Sequence, residues 1–179
     1  IDRAYDAGGG TVYIPKGRYY IRSSLKIRSG VHIQGAGVEA CSLQSIMADN
    51  VPAFVADTTA KVEHWSIKDL LIEKTVMKAT AGTPPQAGID FEPNRDDEEL
   101  VNCVMRNCVS ENNTGCGYVF YLPNLTGKSA PLSVRFEDCV ARGSNHSALA
   151  FITGNEHADG PLTGTADGKP LTYHVKRGD

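Results

Sequence analysis

Apolar and polar residues alternate along this chain in short runs, and one such run returns three times. It reads Glu63-His64-Trp65-Ser66-Ile67-Lys68-Asp69-Leu70, then Val101-Asn102-Cys103-Val104-Met105-Arg106-Asn107-Cys108, then Leu132-Ser133-Val134-Arg135-Phe136-Glu137-Asp138-Cys139. Ile67, Met105 and Phe136 hold one apolar position, and Trp65, Cys103 and Val134 hold the one two residues earlier. Each copy closes on a polar residue followed by an apolar one: Asp69-Leu70, Asn107-Cys108, Asp138-Cys139. Farther on, Tyr118-Val119-Phe120 follows Cys108 at the spacing at which Leu149-Ala150-Phe151 follows Cys139. The first copy reaches Ile89-Asp90-Phe91 after a longer insertion. A period of two inside each copy predicts strands. Repetition of the whole block predicts stacked coils rather than an ordinary closed domain.

The remaining pattern fits the same plan. Residues 1–8 read as the end of a short helix, closed by Gly8-Gly9-Gly10. Strands follow at Thr11–Pro15, Tyr19–Ile21, Leu25–Ile27 and within Gly30–Gly35, with a turn at Pro15-Lys16-Gly17. From Glu39 to Val62 the alternation weakens, and Ala53-Phe54-Val55 is the best strand there. Two insertions, 78–86 and 123–131, are rich in Pro, Gly and Thr and read as loops leaving one corner of the coil. Gly154–Gly168 reads as loop, and Leu171–Val175 as a strand without a partner. The expected organisation is one all-β domain over 1–179: a helical remnant at 1–10, coils over 11–153, then a loop and the start of a further coil over 154–179. A solenoid without a terminal cap exposes an apolar end, so the expectation is a piece of a longer helix.

Composition narrows the function. The formal net charge is -3, and no basic stripe with interleaved aromatics is present, which argues against a nucleic-acid partner. No apolar run is long enough to span a bilayer, which argues against a membrane protein, and no signal peptide is visible. The five cysteines lack the spacing of a zinc site. In adjacent coils Cys108 and Cys139 would stand roughly 4.8 Å apart. That separation permits a disulfide, and free core thiols are the alternative.

Ala7-Gly8-Gly9-Gly10-Thr11-Val12-Tyr13-Ile14-Pro15-Lys16-Gly17-Arg18-Tyr19 resembles the opening of pectate-lyase-like proteins, and Gly30-Val31-His32-Ile33-Gln34-Gly35-Ala36-Gly37 resembles their next coil. The resemblance covers most of residues 1–153. It implies a right-handed parallel β-helix, a polysaccharide partner and a secreted, periplasmic or cell-surface location. The family includes lyases, hydrolases, epimerases and phage tailspikes, so it implies no single reaction and leaves the oligomeric state open.

The chemistry is sought in Gly88-Ile89-Asp90-Phe91-Glu92-Pro93-Asn94-Arg95. If Ile89 and Phe91 fill the core, Asp90 and Glu92 share the outward side, with Cα atoms roughly 6.6–6.8 Å apart. Such a pair could serve as the acid and base of a glycoside hydrolase, for which carboxyl separations of about 6.5–9.5 Å suit inversion. It could instead hold Ca²⁺ against a uronate carboxylate, while a basic group or a tyrosine removes the C5 proton. Asp90, Glu92 and Arg95 are the candidate catalytic residues. Asn94, Tyr121, Arg106, His146 and His157 are the candidate substrate contacts. Asp90 and Glu92 are also the candidate ligands for calcium, the one cofactor considered. The bland reading makes the acids a solvated strand end. The coil of mannuronan epimerases and related alginate lyases reads Tyr-Gly-Phe-Asp-Pro-His-Glu. The segment Ile89–Arg95 is similar to it, with Glu92 at the aspartate, Ile89 at the tyrosine and Asn94 at the histidine. β-Elimination is the favoured reaction, with hydrolysis or non-catalytic glycan binding as alternatives.

Overall fold

The computed structural model describes residues 1–46, 51–74, 88–91, 102–112, 117–122, 134–143, 149–153, 160–166 and 169–175. At Lys74, Asp90, Val119, Tyr121, Leu122 and Val134, and from residue 149 onward, the description is of the backbone. A short helix, α1 (Asp2–Asp6), precedes the first coil, which carries β1 (Gly10–Ile14), β2 (Gly17–Ile21) and β3 (Leu25–Ile27). The second coil carries β4 (Val31–Gly35), β5 (Cys41–Ser45) and β6 (Phe54–Ala56). The third carries β7 (Ser66–Lys74) and β8 (Ile89–Phe91), and the fourth β9 (Cys103–Glu111) and β10 (Tyr118–Leu122). The fifth carries β11 (Val134–Glu137), β12 (Val140–Arg142) and β13 (Leu149–Thr153). Every coil gives one strand to a five-stranded sheet, β13-β10-β8-β6-β3, and the rest join a ten-stranded sheet. Pairing between coils is parallel throughout, which is the β-helix the sequence led us to expect.

The repeats stack in the register read from the sequence. Met105 lies opposite Ile67 and Phe136 opposite Met105. Tyr118 lies opposite both Ile89 and Leu149, and Phe120 opposite both Phe91 and Phe151. Like residues therefore pile on one another. Trp65, Phe91 and Phe120 are each 0% exposed. Their rings succeed one another at centroid distances of 5.4 and 5.8 Å, and Phe136 meets Phe120 edge-on at 5.4 Å. Offset and edge-to-face contacts of this kind add about 0.5–1.5 kcal/mol each beyond area burial.

The polar residue that closes each repeat has a backbone task. Asp69, Asn107 and Asp138 have φ of 57°, 47° and 52°. The left-handed region is costly for most L-residues and is tolerated by Asn and Asp. Each one turns its coil sharply between two strand segments, so that apolar residues on both sides of the corner face inward. Asn107 Nδ2 donates to Asp69 Oδ1 at 2.8 Å, which ties the corners of neighbouring coils.

Two stretches differ from expectation. The weakly patterned region before Val62 contains β5, whose Cys41 and Leu43 are core residues. The segment read as loop after Gly154 contains β14 (Gly160–Ala166), which pairs antiparallel with β15 (Lys169–Val175). The strand at Leu171–Val175 thus has a partner, and β14 also touches β11 through Thr165 opposite Glu137. Asp167-Gly168, the dipeptide between the two strands, is a two-residue hairpin signal. The expected loops 78–86 and 123–131 lie outside the described residues. No helix among the described residues is long and apolar enough to cross a membrane.

Candidate functional site

The five-stranded sheet places the candidate acid. Register runs Lys26 to Val55, Val55 to Asp90, Asp90 to Val119 and Val119 to Ala150. This column lies between two core columns: on β8 its neighbours Ile89 and Phe91 are both 0% exposed. In the first two coils it holds an exposed lysine and a half-buried valine, so it is a surface column. Asp90 takes the middle position along it. Tyr121, two positions beyond Val119, is opposite Ile152. Glu92, Asn94, Arg95, His146 and His157 lie outside the described residues, as do the side chains of Asp90 and Tyr121. Any calcium site built on Asp90 and Glu92 involves those same groups.

Arg106 is placed elsewhere. It belongs to β9 in the ten-stranded sheet, before the corner at Asn107, whereas Asp90 and Tyr121 are in the five-stranded sheet. Its guanidinium is hydrogen-bonded to Glu137 of the next coil. That bond holds Glu137 below the usual carboxylate range and raises Arg106. The structure therefore does not bring Arg106 onto the strand face that carries Asp90. The other described histidines are structural in setting. His32 Nδ1 is 3.0 Å from Ser66 Oγ in the next coil, and His64, at φ 56°, has its Nδ1 3.1 Å from Asn102 Nδ2.

A polar network not singled out from the sequence adjoins the candidate sheet. Arg28 and Asp57 directly follow β3 and β6, as Glu92 follows β8 in sequence. Arg28 Nη1 donates to Asp57 Oδ2 at 2.6 Å, and its Nε donates to Asp2 Oδ1 at 2.8 Å. Its guanidinium also lies 4.8 Å over the Tyr5 ring. The Thr59 amide and hydroxyl donate to Asp57 Oδ1 at 3.1 and 2.8 Å. Asp57 is 1% exposed. Burial raises its carboxyl, but the two Thr59 bonds and the charges of Arg28 and Lys26 outweigh burial and hold it low. The signal was available in the numbering. Arg28 and Asp57 are 29 residues apart, the offset that also separates the paired Leu25 and Phe54. This network binds α1 and the first coil to the second through bonds made within the protein. Its role is to support the sheet edge rather than to meet a ligand.

Relatives of known name are similar to this chain in sequence. Mannuronan C5-epimerase AlgE1 of Azotobacter vinelandii is 27% identical over 160 residues, covering 66% of this chain and 11% of the relative. AlgE4 of the same organism is 24% identical over 160 residues, covering 66% of this chain and 27% of the relative. The chain thus spans well under a third of these relatives' length. Among solved structures, the A-module of AlgE4 superimposes with a TM-score of 0.57 at 17% identity, covering 86% of this chain and 47% of the module. The catalytic domain of a GH87 α-1,3-glucanase gives 0.57 at 18% identity, covering 84% and 28%. At such identities the structural matches speak for the coil architecture. The sequence model of one family, however, matches residues 2–160, from α1 through all the coils. With the parallel register and repeating core already in view, the chain belongs to the rhamnogalacturonase A/epimerase, pectate lyase-like family.

Proposed function

We propose that this chain forms part of a secreted or surface-located enzyme that acts on an acidic polysaccharide by β-elimination. The sugar chain would lie across the outer face of the sheet formed by β3, β6, β8, β10 and β13. The observation that carries the reading is the position of Asp90. An acidic residue stands at the centre of a surface column that also holds Lys26, Val55, Val119 and Ala150, and whose backbone is fixed on both sides by parallel pairing. The named relatives are mannuronan C5-epimerases, and mannuronan is a polymer of uronic acid. Epimerisation at C5 begins with removal of the C5 proton, the step that also opens β-elimination. In elimination the electron pair left at C5 expels the C4 oxygen, and the ring gains a C4–C5 double bond.

In this reading Asp90 and Glu92 would hold a calcium ion that neutralises the uronate carboxylate and so stabilises charge developing at C5. Tyr121 and Arg95 are the candidates for moving the proton. Ile89 and Asn94 stand where the motif of epimerases and alginate lyases has Tyr and His, so in this reading the proton is moved by groups other than the two at those motif positions. The test uses the full-length protein on polyuronates. An ultraviolet absorbance that grows with chain cleavage is the expected result, lost in Asp90→Asn with binding retained, and suppressed by chelator if calcium takes part. New reducing ends without that absorbance would make the enzyme a hydrolase. Glycan binding without turnover, indifferent to Asp90→Asn, would make it a binding solenoid.

A further inference from the structure

We propose that Cys108 and Cys139 are a disulfide-forming pair that staples the fourth coil to the fifth under oxidising conditions. The register brackets them from both sides. Glu137 lies opposite Arg106 and Val140 opposite Val109, so Cys139 stands opposite Cys108. Directly opposed residues in a parallel pair are about 4.8 Å apart, within the range of roughly 4.4–6.8 Å that a disulfide bridges between Cα atoms. Both thiols are free: Cys108 Sγ donates to the carbonyl oxygens of Ile67 and Arg106, each at 3.3 Å, and Cys139 Sγ to that of Glu137 at 3.4 Å. The Tyr118 hydroxyl holds the two coils beside them, lying 3.0 Å from Cys108 O and 2.9 Å from Val140 O. Closing the bridge therefore asks for side-chain rotation and little backbone movement.

The other described cysteines lack this arrangement. Cys41 is opposite Gly17, and Cys103 is opposite Val134. The pair is also asymmetric in a way that sets the order of events. Cys108 is 0% exposed, whereas Cys139 is half-buried. The neighbouring Cys108 thiol holds Cys139 below the usual thiol range, while Cys139 and burial push Cys108 up. Cys139 is thus the entry point. Its thiolate attacks one sulfur of a small-molecule disulfide such as oxidised glutathione, and one glutathione thiolate leaves. Cys108 then gives its proton to solvent and attacks the Cys139 sulfur, and the second glutathione leaves. Two protein thiols are oxidised and one external disulfide is reduced to two thiols.

The experiment incubates the full-length protein with oxidised glutathione, alkylates the remaining thiols and maps peptides without reduction. A linked Cys108–Cys139 peptide is expected, with Cys41 and Cys103 alkylated only after unfolding. Alkylated Cys139, glutathione retained on Cys139, or a bridge from either residue to Cys116 would overturn the proposal. A second arm reads the urea midpoint before and after oxidation. The wild type should shift upward and Cys139→Ser should not. An equal shift in Cys139→Ser would overturn the pairing independently of the mapping.

Discussion

Gly35→Ala tests how closely the coils pack at the corner. Gly35 has a φ that any residue can adopt, so its need for glycine is purely spatial. A Cβ there would lie 2.3 Å from the Asp69 carbonyl oxygen and 2.8 Å from Leu70 Cβ, against a floor of 3.0 Å for real Cβ contacts. Neither neighbour can yield easily. The Asp69 oxygen accepts the Gly37 amide at 2.8 Å, and Leu70 is 0% exposed in the core. Overpacking of this kind costs about 1–3 kcal/mol. Loss of the Gly37 bond adds about 0.5–1.5 kcal/mol, and the stiffer unfolded chain returns about 0.4–1 kcal/mol. The expected net loss is about 2–3 kcal/mol, read from the urea midpoint at unchanged slope. Leu70→Ala keeps the Cβ that clashes, so adding it must not rescue the variant. Wild-type stability in Gly35→Ala, or rescue by Leu70→Ala, would refute the reasoning.

Two further outcomes follow from named contacts. Asp57→Asn should destabilise the protein at neutral pH by about 1.5–3 kcal/mol, the usual worth of hydrogen bonds to a charged group. Because the folded carboxyl is held low, its contribution is full above the unfolded carboxylate value and disappears as pH falls through the folded one. The gap between wild type and variant must therefore narrow in acid, and a pH-independent gap in urea titrations would sink the account. At the corner, Asn107→Ala should cost about 2 kcal/mol, for left-handed strain and the lost bond to Asp69. Asn107→Gly should cost about half as much, since glycine removes the strain alone. Equal losses in the two variants would mean that φ at 107 carries no cost.

What could be read from the sequence was whatever repeats from coil to coil. Ile67, Met105 and Phe136 announce their stack because each coil needs an apolar residue at the same angle around the axis. β5 is hard to see because Cys-Ser-Leu-Gln-Ser is a faint apolar signal, although Cys41 and Leu43 are both buried in the core. The β14–β15 hairpin has a weak signature because its Gly and Thr residues lack apolar alternation, which leaves the Asp-Gly dipeptide as the main cue. Arg106 was misplaced for a more instructive reason. Counting along a strand assumes that the strand stays on one face, but a left-handed residue at Asn107, and another at Asn112, turn the chain between Arg106 and Tyr121. In the sequence Asp69, Asn107 and Asp138 are the polar closing residues of a repeat. They are in fact the joints that decide which side chains share a surface. A functional reading of such a solenoid therefore has to locate the left-handed Asn and Asp residues first. Only residues between the same pair of joints, such as Asp90 with Val55 and Val119, can be grouped by register alone.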